Sequence, residues 1–158
     1  MIQRIQSLYF LVCMILIGSL LSGVDIFRFV HEKESYAMTV YGISKSSLQS
    51  KEILHQDTGF YYLWSIGLIL FTFYTLMSYK TLEKQLKLAR YNSFLYLISV
   101  LALVIFGASG GNNFFDGEGS RELGAGFSLI VVSFPFAYLA QLGVKRDKKF
   151  LESLNRLR

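Results

Sequence analysis

Polar and apolar positions are sharply segregated along this chain. Four stretches contain no Asp, Glu, Lys, Arg or His: Ile5 to Val24, Thr58 to Tyr79, Tyr91 to Phe115, and Leu123 to Val144. Each reaches the roughly 20 residues that a helix needs to cross a hydrocarbon core about 30 Å thick. The first contains "LYFLVCMILIGSLLSGV", with ten Leu, Ile, Val or Phe. At about −0.3 to −0.6 kcal/mol each, these ten favour insertion by about 3 to 6 kcal/mol. A soluble amphipathic helix would interrupt such runs with polar residues every third or fourth position, and these runs are not so interrupted. The pattern predicts an all-α integral membrane protein with four transmembrane helices over residues 5–24, 58–79, 91–111 and 123–144. They form a single domain, residues 1–158. Between them lie two outer loops (25–57 and 112–122), a loop at 80–90 and a tail at 145–158.

The first outer loop carries the chain's period-2 signal. In "YAMTVYGI", Tyr36, Met38 and Val40 alternate with Ala37, Thr39 and Tyr41 before Gly42, predicting a short strand over 36–41 and then a turn. "KEILHQ" is expected to pair with it as a strand or to form a short helix. In the second outer loop, "GGNNFFDGEGSREL", Ser120 is placed to cap the fourth helix and Glu122 to sit in its first turn. A signal-peptide reading of the first segment meets leucine at −3 of either cleavage site, so that segment is expected to be retained.

Charge gives the threading. Of 16 Lys and Arg, eleven fall at Arg4, in the 80–90 loop and in the tail, accompanied by only Glu83, Asp147 and Glu152. The positive-inside rule therefore predicts that both termini and the middle loop are cytoplasmic. Tyr61, Tyr62, Trp64, Tyr79, Tyr91 and Tyr9 are expected to form the aromatic belts at the two interfaces. The tail, "VKRDKKFLESLNRLR", places Phe150, Leu151, Leu154 and Leu157 on one helical face among basic residues. That is the pattern of an interfacial helix. Arg156 and Arg158 could grip a carboxylate-lined pocket on a partner. The predicted contact set for lipid or a partner chain is thus Arg4, Phe150, Leu151, Leu154, Arg156, Leu157 and Arg158.

Composition agrees: 53% hydrophobic and 17% charged residues, with a mean hydropathy of +0.41. The single cysteine excludes an intrachain disulfide and a CxxC redox pair, and Cys13 is expected to be a packing residue. The basic pI of 9.3 is explained by anionic lipid at the cytoplasmic face, not by nucleic acid. His31 and His55 lack metal-ligand spacing, and Asp116, Glu118 and Glu122 miss the EF-hand pattern. No metal or cofactor is expected. The membrane stretches hold no Asp, Glu, Lys, Arg or His with which to relay cargo. Pro135 should kink the fourth helix, with Ser133 satisfying the freed carbonyl. Gly18 with Ser22, and Gly107 with Gly111, carry the small-xxx-small spacing of close helix contacts.

The opening "MIQRIQSLYFL" and the closing "KRDKKFLESLNRLR" resemble a family of small four-helix membrane proteins of Bacteroidota, the domain of unknown function family 4293. The matching positions are Met1 to Gln6, then Asp147, Phe150, Leu151, Ser153, Arg156, Leu157 and Arg158. Lys148 and Asn155 stand where that family's pattern has acidic residues. The resemblance implies an inner-membrane location in a diderm bacterium and supplies no activity. Together these readings lead to an expected function as a non-enzymatic accessory or scaffold subunit of an inner-membrane complex. Its partners would be lipid and a membrane-protein chain or further copies of itself. The alternatives are an oligomeric transporter or channel component and, behind it, a membrane enzyme acting on lipid or quinone.

Overall fold

The computed structural model describes residues 3–31, 34–47, 53–114 and 120–156. Helix α1 spans Gln3–Leu20, followed by strands β1 (Phe27–His31), β2 (Glu34–Thr39), β3 (Gly42–Ser47) and β4 (Ile53–Thr58). Helix α2 (Tyr61–Met77) turns through a 3-10 segment, Ser78–Lys80, into α3 (Leu82–Phe114). Strand β5 (Ser120–Leu123) then leads into α4 (Ala125–Arg156). Three helical stretches, Tyr61–Lys80, Leu82–Ala108 and Ala125–Ser153, are long and apolar enough to cross a membrane, and the apolar part of α1, Ile5–Leu20, is shorter. At 1.5 Å per residue, the 18 residues of α1 reach about 27 Å. The 5–24 span is cut short because residues 21–23 close the helix in tight turns, with Gly23 at φ +79°.

The four helices form a ring in which α4 packs on α1 and α3, and α2 on α1 and α3. Their buried positions are spaced three and four apart. On α4 these are Gly126, Ile130, Ser133, Ala137, Ala140, Val144 and Asp147, and on α1 Gln6, Phe10, Cys13, Ile17 and Leu20. This is the seam of helices packed knobs-into-holes. Much of it is small or hydroxylated, so backbones approach closely and hydroxyls bridge helices. Ser93 Oγ, for example, lies 3.0 Å from the carbonyls of both Ala89 and Ala137. Cys13 is fully buried in this seam, 3.5 Å from the Ser133 carbonyl.

The outer segments depart most from expectation. They go beyond the expected strand and its partner and join in one five-stranded antiparallel sheet ordered β4-β3-β2-β1-β5. The expected strand over 36–41 is β2, which stops at Thr39 because Val40 and Tyr41 make the hairpin turn, with Gly42 at φ +138°. "KEILHQ" contributes to β4, which pairs with β3 and not with β2. Ser120 does not cap a helix: it lies in β5 opposite Val30, and α4 starts five residues later. Phe27, 4% exposed, locks the sheet to the helices, its ring 6.2 Å from Phe106 and 5.5 Å from Phe127. Tyr41 donates a 2.6 Å hydrogen bond to the Leu21 carbonyl, tying the hairpin to the end of α1.

At the opposite end the expected 80–90 loop is mostly helix, because "LEKQLKLAR" consists of strong helix formers and lacks Gly or Pro. Likewise no separate interfacial helix follows the fourth span. Helix α4 runs unbroken for 32 residues, about 48 Å, since nothing between Val144 and Arg156 breaks it. Pro135 is accommodated within α4. Ser133 Oγ donates to the Ile130 carbonyl at 2.6 Å, not to the Val131 carbonyl that the missing proline N–H leaves free. Gly18 has open space where a Cβ would sit, and Gly107 makes room for the Phe27 ring and not for a helix. Gly111 has no described side-chain surroundings.

Candidate functional site

Three helix ends meet at the end away from the sheet. A fully buried layer of Phe10, Ala89, Ala140 and Val144 closes the apolar core there. One helical turn further out, each of three seams finishes on a polar residue: Gln6 on α1, Gln85 on α3 and Asp147 on α4. They are 3%, 1% and 6% exposed. Gly143 permits this convergence, since a Cβ placed on it would sit 3.0 Å from Cβ of Gln6. Both carboxylate oxygens of Asp147 and the side-chain oxygens of Gln6 and Gln85 are buried without a hydrogen-bond partner. Every such atom of this layer is an acceptor. Asp147 lies beyond the charge-free stretch that ends at Val144, and burial pushes its carboxyl above the ordinary aspartate value.

Gln6 and Asp147 both line a small pocket of about 110 Å³ between α1 and α4. Ile5, Leu139 and Leu142 border it on the apolar side, and Tyr9 and Arg146 complete its wall. Beside it the exposed pair Lys148–Glu83, 3.2 Å apart, joins α4 to the first turn of α3. At such exposure the pair adds little stability. Lys148 therefore finds an acid on another helix.

Of the sequence-predicted contact residues, Phe150 and Leu151 project from α4 and are 52% and 43% exposed. Arg4 lies in the first turn of α1, and Leu154 and Arg156 in the last turns of α4. The side chains of these three, together with Leu157 and Arg158, lie outside the described residues. Gln85 was not singled out by the sequence. Its signal is its position four residues before Ala89, on the same buried face.

A second polar layer lies between α2 and α3, where Thr72 Oγ1 is 3.1 Å from Asn92 Oδ1 and 3.2 Å from the Tyr96 hydroxyl. All three residues are fully buried, and the Asn92 amide nitrogen has no partner. Nearer the sheet, an apolar groove of about 380 Å³ opens between α2 and α3, bordered by Trp64, Leu68, Ile98 and Leu103. Trp64 Nε1 donates to Ser99 Oγ at 2.9 Å across it. His31 and His55 stand on β1 and β4, separated by two intervening strands. Among the described residues no group of three metal-ligating side chains gathers.

The model of the family described as domain of unknown function (DUF4293) matches residues 2–157. The chain belongs to that family. DUF4293 carries no activity in its description, and no curated protein matches the chain. The match spans the whole bundle, so the sheet and the polar layer at the far end both fall within the DUF4293 region.

Proposed function

We propose that this protein is a non-enzymatic accessory or scaffold subunit of a bacterial inner-membrane complex. It crosses the membrane four times, with both termini and the α2–α3 turn in the cytoplasm. The observation that carries this reading is that α4 runs on past Val144, the end of its charge-free stretch, with apolar residues exposed among basic ones. Phe150 and Leu151 stand six and seven residues past Val144, about 9 to 10 Å along the axis, among Lys145, Arg146, Lys148 and Lys149. Acyl chains do not reach that level of a helix running across the membrane, so these side chains are suited to a partner protein. At the other end β4 and β5 are the terminal strands of the sheet, and such edges accept a further strand.

The test is purification in mild detergent with mass spectrometry of co-purifying chains. Wild type is expected to bring down a membrane protein in fixed stoichiometry, which Phe150→Ser/Leu151→Ser loses while keeping its thermal stability. Absence of a stoichiometric partner, or equal recovery with the double variant, defeats the reading. The alternative, an oligomeric transporter or channel component, is favoured by the buried polar layer of Thr72, Asn92 and Tyr96. It predicts a homo-oligomer and ion or solute flux in reconstituted vesicles.

A further inference from the structure

We propose that the pocket between α1 and α4 holds the headgroup of an aminophospholipid, phosphatidylethanolamine, with its ammonium on Asp147 and Gln6. Both side chains are more than nine-tenths buried, both line the pocket, and both present oxygen atoms without partners. Buried acceptors need donors, because leaving them unpaired carries a full desolvation penalty. Asp147 and Arg146 bring one formal charge of each sign to the pocket. The positive amino terminus acts on Asp147 through space while leaving its oxygens without a hydrogen bond. The matching group at that carboxylate therefore carries a positive charge and several N–H donors. A primary ammonium does so.

The surroundings select a lipid over a free amine. Val144 ends the charge-free stretch, so Asp147 stands at headgroup level. The wall toward the bilayer is apolar, and Ile5 and Leu139 on it are 56% and 40% exposed, as side chains facing acyl chains are. Arg146, exposed on the same wall, offers a guanidinium to a phosphate. Carboxylate, guanidinium and apolar wall thus follow the order of ammonium, phosphate and acyl chain in one molecule. The volume of about 110 Å³ is that of three to four waters at about 30 Å³ each, enough for an ammonioethyl group. Phosphatidylserine fits less well, since its extra carboxylate would face Asp147. Phosphatidylcholine has the same charges but no N–H.

That last difference supplies the test. The full chain is reconstituted in phosphatidylcholine vesicles with and without phosphatidylethanolamine, its thermal midpoint is measured, and retained lipid is identified by native mass spectrometry. Wild type is expected to gain stability saturably with phosphatidylethanolamine and to retain it over phosphatidylcholine by roughly tenfold, the worth of a hydrogen-bonded charge. Asp147→Asn removes the charge at constant shape and should bring the ratio near unity, and Gln6→Leu should lower it. Arg146→Gln should weaken retention of both lipids while leaving their ratio unchanged. The proposal is overturned if Asp147→Asn keeps the wild-type preference, or if wild type shows none. It is also overturned if sodium or potassium in pure phosphatidylcholine stabilises wild type as much as phosphatidylethanolamine does, since the occupant is then a bare cation.

Discussion

Gly124 shows how much one hydrogen atom in place of a methyl can matter. Its N–H donates to the Ile26 carbonyl at 3.0 Å, and a Cβ there would run into the carbonyl oxygen of Asp25. Gly124→Ala must push the start of α4 off the α1–β1 connection, and is expected to cost about 1 to 3 kcal/mol. Gly18→Ala, where a Cβ meets nothing, should be neutral or slightly stabilising, and thermal melts of the two variants check the contrast. Asp147 gives a second prediction at this scale. Its folded carboxyl is held above the ordinary value of 3.8, so the folded state keeps its proton after the unfolded chain has lost it. Stability is therefore intact below that value and falls as pH rises through the folded value. Tyr9 and Arg146 share its pocket, and the positive amino terminus draws its carboxyl down against the larger effect of burial. In pure phosphatidylcholine, Asp147→Asn should be more stable than wild type at neutral pH, on the order of 1 to 3 kcal/mol. The gap should close toward pH 4. A gap independent of pH would mean that the Asp147 carboxyl titrates alike in the folded and unfolded states, against the upward shift.

Among the elements, α4 was the least legible in the sequence. Inside a bilayer both faces of a helix are apolar, so hydrophobic periodicity does not say which face is buried. Small and hydroxylated residues mark it instead, and Ser133, Ala137 and Ala140 recur at the packing spacing while Val132, Tyr138 and Leu139 face outward. Paired glycines and serines do not mark this stripe, and alanine, which also occurs outside it, does not mark it alone. Ala137→Leu is expected to lower stability by about 1 to 3 kcal/mol, and Val132→Leu to leave it unchanged. Equal melts would argue against the α3–α4 contact. The ends of α3 and α4 were missed for a related reason. Charge marks where a helix leaves lipid, and helix formers then carry it on into water. The strand at β2 was readable from its alternation, but "FRFVH" and "SREL" are only five and four residues long, and their pairing across about 90 residues left no local trace.

For the molecule as a whole, the sheet fixes which segments share a side. Helices α1 and α3 run toward it and α2 and α4 away from it, so the start of α1, the α2–α3 turn and the finish of α4 lie together. The charge count predicts a cytoplasmic side for these three segments; a sheet uniting residues 27–58 with 120–123 lies beyond its reach. Single cysteines at Ser46, Ser120 and Ser153 in a Cys13→Ser background are expected to divide in intact cells with a permeabilised outer membrane. An impermeant thiol reagent should reach the first two and not the third. Labelling at Ser153 but not Ser46 would invert the threading. A cysteine pair at Val30 and Ser120, opposite each other in the sheet, should cross-link on oxidation.

That pairing also imposes an order on biogenesis. Strand β1 sits between β2 and β5, yet β5 is synthesised some ninety residues later, after α2 and α3. While the ribosome makes those helices, β1 carries an open row of backbone donors and acceptors. The row closes only when the segment before α4 has been made and has reached β1. A nascent chain arrested before Ser120 therefore displays a vacant strand position to every neighbour at the membrane. Pairing of β5 with β1 removes that position, so the completed sheet marks a molecule folded through to its fourth helix.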